Sequence, residues 1–149
     1  MIIKKTEDIE EIRSILCHPE IYLCIAGDSS PPANEFVIPL QGITYYGCYV
    51  EGEIIGLVLY HVDNERLFGH FQVLPKYREK YAAKFAIKTL NEQLKKHGSV
   101  YAEIPVCYPN VLRFVLGFGF KEIESSDKPY IKDGEPYEIK ILRCDYGVC

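Results

Sequence analysis

Residues 43–50 and 54–62 are crowded with β-branched and aromatic side chains, and the pattern turns helical just after Pro75. The first two runs read as the strands of a hairpin, joined by the short glycine-containing connection Glu51-Gly52-Glu53. A second turn at 63–66 leads into a third strand over 67–74, whose end, residues 71–74, is apolar except for Gln72. Pro75 has no N–H for a sheet ladder and stops that strand. A short basic loop follows, and then an amphipathic helix whose apolar face is Ala83, Ala86, Ile87, Leu90 and Leu94. Lys95, Lys96 and His97 in the last turn, with Gly98 beyond them, end it.

The flanks are read in the same way. Residues 1–5 form a short edge strand, and Thr6 caps a first helix with Glu7 and Asp8 in its first turn. Ile9, Ile12, Ile15 and Leu16 give that helix its apolar face, and Pro19 breaks it. A second helical segment over 21–26 ends at Gly27, and a polar Ser-Ser-Pro-Pro loop fills 28–35. Beyond the long helix, 100–106 is a strand, returned by a helical crossover and so parallel to the third. Asn110 suits the N-cap of a short helix over 112–116, closed by Gly117-Phe118-Gly119-Phe120. The turn Lys132-Asp133-Gly134-Glu135 precedes a final strand over 137–144.

Composition narrows the class. A chain of 149 residues, 48% hydrophobic and 26% charged, is expected to form one globular domain over 1–149. No apolar run approaches a membrane span, and the first residues carry no secretory pattern, so a cytoplasmic protein is expected. The formal charge of −4 argues against a protein that coats nucleic acid. Yet residues 76–97 hold seven Lys/Arg against two Glu, which leaves −9 for the remainder. Lys76, Lys80, Lys84 and Lys88 recur every four residues, a like-charge stripe that a bound anion would relieve. A positive helix start in an acidic protein suits an anion, because its first N–H groups are unpaired and the dipole adds positive potential. The six cysteines include no Cys-x-x-Cys pair and no histidine at zinc-finger spacing. They are read as reduced structural thiols with no metal site, Cys144 and Cys149 being the pair most prone to oxidise.

Val73-x-Pro75-x-x-Arg78 followed by a helix resembles the acetyl-CoA loop of the GCN5-related N-acetyltransferase (GNAT) superfamily. The family pattern Gln/Arg-x-x-Gly-x-Gly/Ala is met here by Arg78-Glu79-Lys80-Tyr81-Ala82-Ala83, with Tyr81 where the first glycine belongs. Ile104-x-Val106 leading to Asn110, and Gly119-Phe120 before Lys-Glu-Ile-Glu, are similar to two further family points in the same order. The resemblance covers about residues 43–144. It implies an α/β (α+β) fold: a mixed, mostly antiparallel central sheet with two splayed strands and flanking helices. It implies acetyl-CoA as co-substrate, an amine acceptor, small-molecule or peptide, and compatibility with a homodimer. Phe71, Gln72 and Val73 would hold the pantetheine arm. Arg78, Glu79, Lys80, Tyr81, Ala82 and Ala83 would wrap the pyrophosphate, and Asn110 would border the cofactor. The loop over 28–35 would cap the acceptor.

Candidate catalytic groups are His70 and Glu103 as bases and Tyr108 as acid or base. Strand alternation sets His70 opposite Phe71 and Val73, unless the β-bulge the family carries here changes the parity. The family's thiolate-protonating tyrosine has no counterpart. Val115 stands there when counted from Gly119-Phe120, and Gly117 when counted from Asn110. These departures keep open a second reading, a GNAT-like binding or assembly module without turnover, as in compact phage-encoded relatives with eroded loops.

Overall fold

The computed structural model describes residues 1–148, so Cys149, read with Cys144 as the pair most prone to oxidise, lies outside the described residues. The strands are β1 (Ile2–Lys5), β2 (Ile43–Val50), β3 (Glu53–Asp63), β4 (Arg66–Val73), β5 (Ser99–Pro105), β6 (Lys121–Ser125), β7 (Tyr130–Lys132), β8 (Glu135–Tyr137) and β9 (Ile139–Asp145). The helices are α1 (Ile9–Leu16), α2 (Pro19–Ile25), α3 (Arg78–His97) and α4 (Pro109–Leu116). Seven strands form one sheet in the order β1-β2-β3-β4-β5-β9-β6, and β7-β8 make a separate hairpin. All neighbours in the large sheet are antiparallel except β4 and β5. This is the mixed α/β architecture that the sequence predicts.

Two tight turns set the register of the central strands. Glu51 and Gly52 both take positive φ, as do Asn64 and Glu65. Each pair closes a two-residue hairpin whose twist matches the strands. The second turn puts Asp63 opposite Arg66, and the ladder then runs unbroken to Gly56 opposite Val73. The bulge implied for the third strand is therefore absent. The sheet's irregularities lie instead between β2 and β3 at Cys48/Tyr49 and between β6 and β9 at Glu122/Glu124.

Helices cover both faces. Ile12, Ile15, Leu16 and Ile21 of α1 and α2 pack with Tyr45 and Leu57 on one side. On the other, Phe85, Leu90 and Leu94 of α3 pack with Val58, Val73, Val100 and Ile104. Gly56 permits the closest approach: a Cβ there would meet Phe85 Cε2 at 3.1 Å and the Gln72 carbonyl at 3.0 Å. Phe85 is fully buried and sets the rotation of α3.

Several expectations are corrected. The buried face of α3 is Ala82, Phe85, Thr89, Leu90, Gln93 and Leu94, while Ala83 and Ile87 are exposed. Asp8, not Thr6, caps α1, its carboxylate accepting from Glu10 N and Glu11 N. Thr6 Oγ1 instead accepts from Asp8 N and donates to Glu11. Ile9 is 43% exposed and leaves the apolar face. The final strand begins at Ile139, because residues before Glu138 are taken by the β7–β8 hairpin.

Candidate functional site

β4 and β5 share one registered pair, Phe68 with Tyr101, near their N-terminal ends. Toward Val73 and Pro105 the two strands are no longer paired. Leu74 N donates to Ile55 O at 2.9 Å, so this pair faces β3. Ladder alternation then turns the N–H and C=O of Val73 toward β5, into the splay. Arg78 Nε donates to that carbonyl at 2.9 Å and ties the start of α3 to the strand end.

No loop separates Pro75 from the helix. Residues Pro75–Tyr77 form a 3-10 turn that runs straight into α3. The N-terminus of α3 has no side-chain cap. Among the described residues neither Nη of Arg78 has a hydrogen-bond partner, and Arg78, Glu79 and Lys80 are exposed. An uncapped helix start with a half-engaged guanidinium has the chemistry that suits an anion, although the Arg78 backbone N–H is already given to Pro75 O. Tyr81 is half-buried against the core, its ring 6.2 Å from that of Tyr77 and 5.2 Å from Lys80 Nζ. Ala82 is buried in the core and Ala83 exposed.

The splay is lined by aromatic rings on the α3/α4 side. Phe71 lies 5.0 Å from Phe85 and 6.0 Å from Phe114, and Phe114 lies 4.8 Å from Phe118. Phe71, Phe114 and Phe118 border a cavity of about 80 Å³ that also touches Tyr60, Gly69 and Val115. Asn110 is not the cap of α4. Tyr108 holds that position, Pro109 follows, and Asn110 Oδ1 accepts from Arg113 within the first turn.

The opposite face of the splay carries the titratable groups. Phe68, His70 and Gln72 alternate with Gly69, Phe71 and Val73 and face the α1/α2 side. His61 on β3 joins them, with Nε2 3.0 Å from Nε2 of His70 and its ring stacked on Phe68 at 5.7 Å. Burial, and then the neighbouring His61, hold the His70 pKa down at about 4. Tyr101 and Glu103 lie on the same face of β5. Burial pushes the Glu103 carboxyl up, partly countered by His61.

Tyr108 stands apart from these groups, at the rim formed by α2 and β7. Its hydroxyl lies 3.1 Å from that of Tyr130, which donates to Ala26 O at 2.8 Å. Tyr130 has one proton to give, so Tyr108 is the donor of its pair. Burial, followed by that contact, raises its pKa and keeps it protonated. Lys132 Nζ donates to Leu23 O and Ala26 O, both at 2.7 Å. Asp28 accepts from Asp133 N and Gly134 N at 2.8 Å each. The start of the 28–35 loop is thus latched to the β7–β8 hairpin.

The sequence reading missed His61, Tyr130 and Phe114. For His61 a signal existed. A two-residue turn at Asn64-Glu65 pairs 61 with 68 and 59 with 70, which brings the two histidines together on one face. Nothing local announces Tyr130 or Phe114, whose partners lie far away in the chain.

Comparison with solved structures supplies the frame for this geometry. A spermidine N-acetyltransferase from Vibrio cholerae, in complex with CoA and spermine, superposes with a TM-score of 0.76 at 13% identity, over 99% of this chain and 96% of that one. The ribosomal-protein-S18-alanine N-acetyltransferase from Escherichia coli gives a TM-score of 0.70 at 12% identity, over 99% and 95%. A ribosomal-protein-alanine N-acetyltransferase from Brucella melitensis gives 0.70 at 14%, over 97% and 99%.

The chain has the GNAT fold.

Its sequence matches no family model and no curated protein. Among the described residues no helix is long and apolar enough to cross a membrane.

Proposed function

We propose that this GNAT-fold protein transfers an acetyl group from acetyl-CoA to an amine. The observation that carries the reading is the junction of β4 and α3. An uncapped, basic helix start meets a strand end whose N–H and C=O face an unpaired gap. In a fold whose solved examples include an N-acetyltransferase with CoA and spermine, that junction suits a diphosphate beside a thioester. The Arg78 side chain and the backbone at the start of α3, Glu79 to Ala83, hold the diphosphate, while Phe71, Gln72 and Val73 line the pantetheine path and Asn110 borders it. The amine attacks the thioester carbonyl. The Val73 N–H stabilises the oxyanion, and collapse expels the CoA thiolate. His70 and Glu103 take the amine proton on the α1/α2 side. Tyr108, held protonated, serves as an acid at the rim.

Three observations favour a second reading, a binding module without turnover. The Phe71–Phe114–Phe118 rings occupy the gap side of the splay, β4 has no bulge, and Val115 is no proton donor. Calorimetry with acetyl-CoA and a thiol-release assay over polyamines, amino acids and peptide N-termini separate the two. The enzyme reading expects both binding and thiol release. Arg78→Ala is expected to weaken binding by about 1.5–3 kcal/mol, the worth of a charged hydrogen bond. Binding without release on any acceptor supports the module. No binding at millimolar acetyl-CoA defeats the cofactor reading and with it the enzyme.

A further inference from the structure

The two histidines on the α1/α2 face are closer than independent imidazoles need to be. The β3–β4 ladder sets Leu59 opposite His70 and His61 opposite Phe68, so the rings meet on the diagonal. Their planes differ by 13°, their centroids lie 5.1 Å apart, and Nε2 faces Nε2 at 3.0 Å. At that separation two N–H groups clash and two lone pairs repel. One proton between the nitrogens satisfies both. Among the described residues neither Nδ1 has a hydrogen-bond partner, and no group of three or more His, Cys, Asp or Glu is placed to hold a metal ion. The pair is therefore built for a proton.

The surroundings are asymmetric. His70 is set where burial and its neighbour both resist charge. His61 is felt by Glu103 of β5, which also feels Asp63 at the end of β3. The cations of this face are already engaged. Arg66 is paired with Glu124 of β6, and Arg143 of β9 with Asp145 at 2.7 Å, both guanidinia lying over the Tyr101 ring. On α1, Arg13 donates to Phe36 O at 2.9 Å and to Cys17 Sγ at 3.6 Å, and Glu11 accepts from Thr6 and Tyr49. Two carboxylates, Glu103 and Asp63, thus remain to balance an imidazolium, and His61 is the ring whose charge acts on Glu103.

We propose that His61 and His70 act as a single base sharing one proton, with His70 facing the amine and His61 the end where the charge comes to rest. The proposal rests on the acyl-transfer reading and deepens it. In the starting tautomer His70 carries its proton on Nε2 and His61 on Nδ1. The N–H bond of the attacking nitrogen breaks as a new one forms at His70 Nδ1. The Nε2 proton of His70 crosses to Nε2 of His61. His70 is left neutral, His61 becomes the imidazolium, and solvent removes its charge. Nothing is oxidised or reduced. His61 acts through His70 and is a positioning and relay residue.

Nitrogen-15 imidazole NMR on the wild-type protein tests the pair without any assay. The pair is expected to take up one proton, shared between the two Nε2 atoms, before it can take a second. Two imidazoles that each bind a proton independently overturn the pair. Kinetics test the relay. His61→Phe keeps the stack on Phe68, and His61→Gln keeps a hydrogen bond to His70 but accepts no proton. Both are expected to lower kcat about 100-fold, to leave KM for acetyl-CoA unchanged and to remove the lower limb of the kcat–pH profile. Near-wild-type kcat in His61→Gln means that His61 only orients His70, and overturns the relay. Wild-type protein that releases no thiol on any acceptor defeats the acyl-transfer reading and the relay with it. The NMR titration then decides by itself whether the pair holds one proton.

Discussion

His70 has a consequence for stability that needs no substrate. Its folded pKa is lowered to about 4 from the ordinary 6.5, first by burial and then by His61. Between those values the unfolded chain binds more protons than the folded one. Stability therefore rises with pH across the window and is lost as pH falls from about 6.5 toward 4. The full shift corresponds to about 3 kcal/mol. His70→Gln is expected to flatten that acid limb, read as urea midpoints at a series of pH values; an unchanged limb would assign it elsewhere. Asp28 acts lower on the scale. Its pKa is depressed chiefly by the backbone N–H groups of Gly134 and Asp133, so its contribution is present above 3.8 and fades only below that. At this scale the sequence named His70, Glu103 and Tyr108 as titratable groups on plausible strands. It did not show that Tyr108 is a donor locked to Tyr130 or that His70 is half of a pair.

The long helix shows how an element can be legible while its phase is not. Periodicity placed α3, and the cations of the last turn with Gly98 placed its end, where φ is 83°. The face slipped because the strongest anchor, Phe85, answers to a niche on another element, the bare backbone at Gly56. Thr89 and Gln93 then lie buried despite their polarity, satisfied by one local partner and one on β2. Thr89 donates to Phe85 O at 3.1 Å, and Gln93 Nε2 lies 3.5 Å from the Tyr46 hydroxyl. The same rotation decides the side on which Tyr81 sits. Because its ring packs on the core, Tyr81→Gly is expected to leave acetyl-CoA affinity unchanged and to cost about 1 kcal/mol in helix propensity. Calorimetry and thermal melts on the variant check both halves. A large loss of affinity would show that the tyrosine itself contacts the cofactor.

At the scale of the whole molecule, a ligand bound only by the folded state raises stability by mass action. At about 100 times Kd the gain is about 2.7 kcal/mol, or roughly 5–10 °C in Tm for a domain of this size. Acetyl-CoA is expected to produce that shift, and Arg78→Ala to lose most of it at the same concentration. A wild-type melt indifferent to acetyl-CoA at millimolar concentration would remove the cofactor from the account.

The sequence by itself determined the order of the central strands, both hairpin connections between them, the long helix and its C-terminal end, and the basic junction at Pro75. Each of these rests on interactions a few residues long: φ > 0 at a two-residue turn, a missing N–H at proline, charge near a helix end. Only the tertiary structure decided which side chains share a site. Phe71 meets Phe114, Tyr108 meets Tyr130, and Lys132 reaches Ala26 across gaps in the chain that no local pattern spans. Even His61 and His70, nine residues apart, come together only through the register of two strands. A side chain's neighbours across a sheet follow from pairing and twist, which are set by the packing of both faces at once.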